Sequence, residues 1–224
     1  MFKKVVIILG IMLLVITTPW FQRILSKDIL IAIVILIQTI GLSLYINGLG
    51  SKTIGLWSFI AILMLSIFLL STQFDKSLVN HSNLELAYLQ QRSNYHKIGT
   101  ILHNKYTLSL FKYQRNFFTN LDFNQFFFGG QPRFRPYALD FSKFPIFYLP
   151  FFLYGIFWLL TFKAKLIINF MACLLCILLF TAFVNPSFKL GPYVMLPIIT
   201  SLVFTGFYQP LKSLLKVLKN QKYD

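Results

Sequence analysis

Residues 29–46 read ILIAIVILIQTIGLSLYI, without a single charge. A bilayer selects this length and composition, because a helix needs roughly 20 apolar residues to cross about 30 Å of hydrocarbon. Ser26-Lys27-Asp28 stands directly before the block and offers a side-chain cap for its first turn. Working outward, the same kind of block recurs on both sides. Upstream, Val5 to Phe21 follows Lys3 and Lys4; downstream, a Gly-containing turn from Asn47 to Ser51 leads into Ile54 to Leu70. Three more blocks follow a long polar interval: Phe144 to Phe162, Leu166 to Val184 and Leu190 to Phe207. The chain therefore reads as an all-α integral membrane protein with about six transmembrane helices and one outer loop of about 70 residues, part helical and part irregular.

Four regions follow from this: a three-helix membrane segment at 1–71, an extracytoplasmic loop at 72–143, a second three-helix segment at 144–208 and a basic cytoplasmic tail at 209–224. The first block starts like a secretory signal, but no small-x-small cleavage site follows Thr17-Thr18-Pro19-Trp20. It reads as an uncleaved anchor with Trp20 at the interface. Pro145, Pro150, Pro192 and Pro197 inside the later blocks point to kinks or close helix contacts.

Composition excludes an ordinary soluble domain: 57% of the residues are hydrophobic and only 12% charged, against about 25% charged in soluble proteins. The net charge of +15 does not indicate nucleic acid, because the basic residues flank apolar blocks or lie along one loop instead of forming a soluble basic face. Lysines outnumber arginines by 16 to 5, a bias that suggests an AT-rich bacterial genome. Cys173 and Cys176 have C-x-x-C spacing but sit within an apolar block without a nearby His or second pair, and read as packing residues.

Orientation follows from the short loops. With the N-terminus inside, nine positive charges (Lys3, Lys4, Lys52, Lys163, Lys165 and four tail lysines) face three outside (Arg23, Lys27 and Lys189). The positive-inside rule then puts both termini in the cytoplasm of a cell (inner) membrane. Lys212, Lys216, Lys219 and Lys222 read as an inner-leaflet amphipathic anchor. No Asp, Glu, Lys, Arg or His stands in the middle of any block, where ion-coupled transporters place such residues. Chemistry or recognition is therefore expected in the loop.

Within the loop, Asn83 to Asn116 reads as an amphipathic helix carrying Leu84, Tyr88, Ile98, Leu102, Leu108 and Phe111. Asn116 to Pro136 reads as an irregular aromatic loop. There Phe126, Phe127 and Phe128 cannot all face one core, and Gly129-Gly130 with Pro132 and Pro136 force turns.

The run Phe126-Phe127-Phe128-Gly129-Gly130-Gln131-Pro132-Arg133, followed by the apolar segment Phe144 to Gly155, resembles part of the polyprenyl-phosphate-dependent membrane glycosyltransferases of the C-type fold. The matching part lies between their catalytic helices and their C-terminal helices. The closing stretch from Asn185-Pro186 through Lys189-Leu190-Gly191-Pro192 to Gly206 is similar to their late helices. The resemblance spans about residues 84–208 and implies a C-terminal half without its catalytic half. That family carries a catalytic acid in its first outer loop, whereas here the only acid of Phe21 to Asp28 is Asp28, set against the next helix. The resemblance thus implies a chain that does not catalyse alone.

Arg115, Arg133 and Arg135, with Lys112, are candidates for binding an anionic headgroup or lipid phosphate, which a planar guanidinium matches bidentately; interfacial anchoring is the competing reading. Asp122 and Asp140 read as loop caps or partners of those arginines. His81, His96 and His103, spaced by 15 and 7, fit no compact metal motif, and no glycine-rich nucleotide motif occurs, so neither a metal nor a cofactor is expected. The expected partners are membrane lipids, a polyprenyl-phosphate-linked sugar or another membrane protein. Three functions compete: a non-catalytic or partner-dependent component of cell-envelope glycan assembly, a structural subunit whose outer loop docks a partner protein, and a transporter.

Overall fold

The computed structural model describes residues 2–80, 104–122, 124–128, 142–184 and 192–220. Among these the chain is helical, and the one β-type contact is an isolated bridge between Phe74 and Val184. Eight α-helices are described: α1 (Phe2–Ile16), α2 (Pro19–Leu25), α3 (Ile29–Ile46), α4 (Lys52–Gln73), α5 (Lys105–Leu121), α6 (Leu149–Phe162), α7 (Ala164–Thr181) and α8 (Leu196–Asn220).

Length and composition qualify three of them to cross a membrane, and a fourth if α1 and α2 count as one bent span. Of the six expected spans, the last two helical stretches before α8, Ile146–Phe162 and Leu166–Thr181, are apolar but shorter. The first block breaks outright, α2 turning 83° away from α1. Pro19 cannot donate into the preceding turn, and Thr18 before it sits in extended backbone. Val15 O, which Pro19 cannot serve, accepts from the Thr18 amide at 3.0 Å and from Thr18 Oγ1 at 2.7 Å, and Thr17 Oγ1 adds a second bond to Leu13 O at 2.8 Å.

Caps set the other starts. Asp28 accepts from the Ile31 amide at 3.0 Å and opens α3, as its position before the block suggested. Gly48, at φ +68°, turns the chain between α3 and α4 in a conformation that side chains resist. Two short motifs share one design: Pro145-Ile146-Phe147-Tyr148-Leu149-Pro150 and Pro192-Tyr193-Val194-Met195-Leu196-Pro197 each form a 3₁₀ turn that runs into a helix. These four prolines thus start helices, where a missing N–H costs nothing. They do not kink them. Pro210 is the proline inside a helix, and α8 continues through it to Asn220, so the described part of the basic tail is helical and continuous with α8.

α8 is the centre of the bundle, with 72% of its best apolar window buried. It packs on α6, α3 and α1, while α4 joins α3 to α7. Its closest neighbour is α6. A methyl added at Gly155 would meet the Leu202 carbonyl, and one at Gly206 the Phe151 carbonyl, so both glycines exist to let two backbones touch. Cys173 is half-buried against the core and Cys176 exposed, both as free thiols.

Candidate functional site

Two polar systems tie the helices together, at different places. The first is a seam between α3 and α8. Ser43 Oγ donates to Ser201 Oγ at 3.0 Å, and Ser201 Oγ approaches the Thr39 carbonyl at 3.4 Å. Asn47 Nδ2 donates to Thr205 Oγ1 at 3.0 Å and to the Ser43 carbonyl at 2.9 Å, while Gln209 Nε2 donates to Asn47 Oδ1 at 2.8 Å. All these groups are neutral. Every donor reaches an acceptor on its own helix or the facing one, so the seam acts as packing glue.

The second system lies at the end of the bundle where α4 and α7 finish and α5 docks. Phe74 and Val184 form their bridge here, and the Asp75 amide donates to the Phe183 carbonyl at 2.8 Å. The Asp75 side chain is 4% exposed. Its Oδ1 accepts from the Ser77 amide at 3.0 Å, capping a short 3₁₀ turn, and its Oδ2 accepts from Asn116 Nδ2 at 3.1 Å. One turn further along α5, Asn120 Nδ2 donates to the Thr181 carbonyl at 3.0 Å. Ser109 Oγ reaches the Leu78 carbonyl at 2.6 Å, Lys112 Nζ the Ser77 carbonyl at 3.2 Å, and Tyr113 OH the Leu179 carbonyl at 3.1 Å. Partial burial raises the Tyr113 phenol above its ordinary value and keeps it a neutral donor.

α5 itself begins at a capping box, the Asn104 side chain accepting from the Thr107 amide while Thr107 Oγ1 accepts from the Asn104 amide. The helix starts there and passes Asn116 to end at Leu121, so the expected change to irregular chain at Asn116 is corrected; residues 83–103 of the expected helix lie outside the described residues. Its two faces are mixed. Ser109, Lys112, Asn116 and Asn120 bond to the bundle beside the apolar Leu108, Phe117 and Leu121, whereas Tyr106, Leu110, Phe111 and Phe118 are exposed beside Lys105, Gln114 and Arg115.

An aromatic cluster adjoins this end. Phe126 and Phe127 are buried and Phe128 exposed, so the triplet divides. Trp20, expected at the membrane interface, is fully buried: its ring contacts Phe126 and Phe144, and Lys143 Nζ lies 4.9 Å from its centroid. The 83° turn of α2 carries Trp20 inward, and the Lys143 carbonyl accepts its amide at 3.2 Å.

Of the candidate site residues, Arg115 is exposed on the flank of α5 beside Phe111 and Phe118. Arg133, Arg135, Asp140 and the three histidines lie outside the described residues. Asp122 is a loop cap, accepting from the Asn124 amide at 2.9 Å. Sequence reasoning missed Asp75, which counted only as one acid of a polar loop. The available signal was its place directly after an apolar block and two residues before Ser77. No family model, curated protein or solved structure matches this chain, so its reading rests on its own residues.

Proposed function

We propose that this chain is a six-span protein of a bacterial cell membrane with both termini in the cytoplasm. In this reading α5 is an interfacial helix that engages the anionic headgroup of a lipid, and the protein serves envelope glycan assembly as a non-catalytic or partner-dependent component. One observation carries the reading: the outer face of α5 exposes four large side chains, Tyr106, Leu110, Phe111 and Phe118, interleaved with Lys105 and Arg115. A helix lying on a protein in water keeps its outer face mainly polar. A helix at the level of the headgroups meets acyl chains on its outer face, and Arg115 on its flank then stands where phosphates are. The resemblance to polyprenyl-phosphate-dependent glycosyltransferases supports a lipid-carrier phosphate as that headgroup.

The shorter helices α6 and α7 count as spans in this reading. They expose Phe157, Leu160, Ile168 and Leu175, side chains that need a lipid surround. The excess of nine positive charges over three supports the orientation. The neutral seam supports a scaffold over a proton-driven transporter. The exposed α5 ridge also suits docking of a partner protein, and the test separates the two.

The test has two arms. A reporter fused after Asp224 is expected in the cytoplasm and one inserted at Asn104 outside; both on one side would overturn the topology. Native mass spectrometry with a polyprenyl phosphate is expected to show weaker retention in Arg115→Ala and in the Arg133→Lys/Arg135→Lys double variant. Unchanged retention in both, with a membrane protein co-purifying through the Phe111 and Phe118 face, would favour the docking alternative.

A further inference from the structure

The contacts beneath α5 leave a specific set of oxygens unmet. Gln73 Oε1, Asn116 Oδ1 and Asn120 Oδ1 are buried without a hydrogen-bond partner. Asn116 is 0% and Asn120 2% exposed, so water does not reach them from outside. Beside them stands the Asp75 carboxylate, nearly as buried. Its side-chain partners are two N–H groups, and no described Lys, Arg or His forms an ion pair with it. A buried carboxylate without a counter-charge is costly, and so is each buried oxygen without a donor. Three unmet oxygens and one carboxylate without a counter-charge thus meet at one junction, and all four favour positive charge.

We propose that this junction is a Ca²⁺ site, with Asp75, Asn116, Asn120 and Gln73 supplying its side-chain oxygens. Asn116 and Asn120 are one helical turn apart on the same face of α5, so their amides reach one locality. Asn116 meets Asp75 directly, and Gln73 ends α4 two residues before it. Asn116 turns Nδ2 to the carboxylate, so ligation requires a half-turn of its amide that presents Oδ1 there instead. One carboxylate with neutral amide oxygens is a hard-cation ligand set. None of the four residues is a Cys or His, so soft metals lack their donors. Mg²⁺ keeps its waters and demands octahedral geometry, whereas Ca²⁺ accepts irregular oxygen shells. A single carboxylate, with the Lys112 ammonium held on the neighbouring Ser77 carbonyl, sets the affinity in the weak range of extracellular Ca²⁺ modules.

The function that follows is mechanical: Ca²⁺ clamps α5 to the ends of α4 and α7, and its removal loosens the interfacial helix. The site stands whether or not α5 binds a lipid carrier. The experiment uses the full chain in a neutral maltoside detergent, stripped of metal and held at constant ionic strength, with CaCl2 as the probe and thermal unfolding as the readout. Millimolar CaCl2 is expected to raise the Tm of the unchanged protein by several degrees, and MgCl2 by much less. Asp75→Asn is expected to abolish the rise. Because that variant can misfold, Asn116→Asp provides a gain-of-function arm: a second carboxylate is expected to lower the Ca²⁺ concentration for the half-maximal shift by roughly tenfold. No Ca²⁺-specific shift in either the unchanged protein or Asn116→Asp overturns the proposal. So does an equal shift in folded Asp75→Asn, which assigns the effect to another site.

Discussion

The seam between α3 and α8 and the junction beneath α5 are built from similar polar groups, yet one is closed and the other is not. In the seam, Ser43, Ser201 and Thr205 are short hydroxyls that both donate and accept, and a carbonyl is always one turn away. Asn47 is the single amide satisfied at both ends, because Gln209 arrives to donate to its oxygen. At the junction the polar groups are a carboxylate and longer amides. An amide that spends its nitrogen on one partner leaves its oxygen needing a separate donor, and none is present for Asn116 or Asn120. A seam of hydroxyls therefore serves cohesion alone, whereas a junction rich in unmet oxygens has capacity left over for a ligand.

That contrast can be broken by substitution, starting with the backbone approach on which the seam helix depends. Gly206→Leu forces a side chain into the Phe151 carbonyl and separates α6 from α8. The expected cost is about 3 kcal/mol or more, seen as loss of the monodisperse peak on size exclusion. If Gly206→Leu remained monodisperse and kept its melting temperature, the close contact would be incidental.

Asp75→Ala comes next. Asn116 Nδ2 and the Ser77 amide lose their shared acceptor, at an expected cost of about 2 to 3 kcal/mol in metal-free buffer. Asn47→Ala removes the amide that links Thr205 and Gln209 to α3, yet is expected to cost only about 1 to 2 kcal/mol, since membrane-buried hydrogen bonds between helices are individually modest. Thermal unfolding of the two side by side checks the ranking, and a larger loss for Asn47→Ala would reverse the contrast.

The smallest expected effect has the opposite sign. Gln38 is 3% exposed, and both atoms of its amide lack partners. It lines a largely apolar groove with Val34, Trp57 and Met64. Gln38→Leu removes that deficit while keeping much of the volume, so stability should hold or rise by up to about 1 kcal/mol. A clear loss of stability would show that Gln38 has a partner of its own, and would place it with the junction and not with the seam.

Much of this was legible in the residues. The uncharged run from Ile29 to Ile46 is one helix, and Asp28 caps it as its position implies. The break at Thr18-Pro19 was written in the sequence but outweighed by the apolar run around it, since hydropathy averages over a window and a missing N–H acts at one residue. The prolines at 145, 150, 192 and 197 misled in the same way: their repeated P-x-x-x-L-P spacing marks helix starts, which block hydropathy cannot separate from kinks. Which side chains of α5 meet the bundle was not legible, because an amphipathic pattern defines two faces without saying which one meets the protein.

Apolar blocks, chain turns and helix caps are local properties, set by a few neighbouring residues and the solvent they face, and so the primary chain already commits this protein to membrane helices. Partnership between distant side chains is another matter. Whether Asp75 is a solvated loop acid or a buried carboxylate depends on Asn116 and on the Phe183 carbonyl, which are far from it along the chain. Whether Asn116 is satisfied depends in turn on how α5 sits across α4 and α7. Burial is created when helices pack, and an unmet oxygen exists as such only after water has been excluded from it.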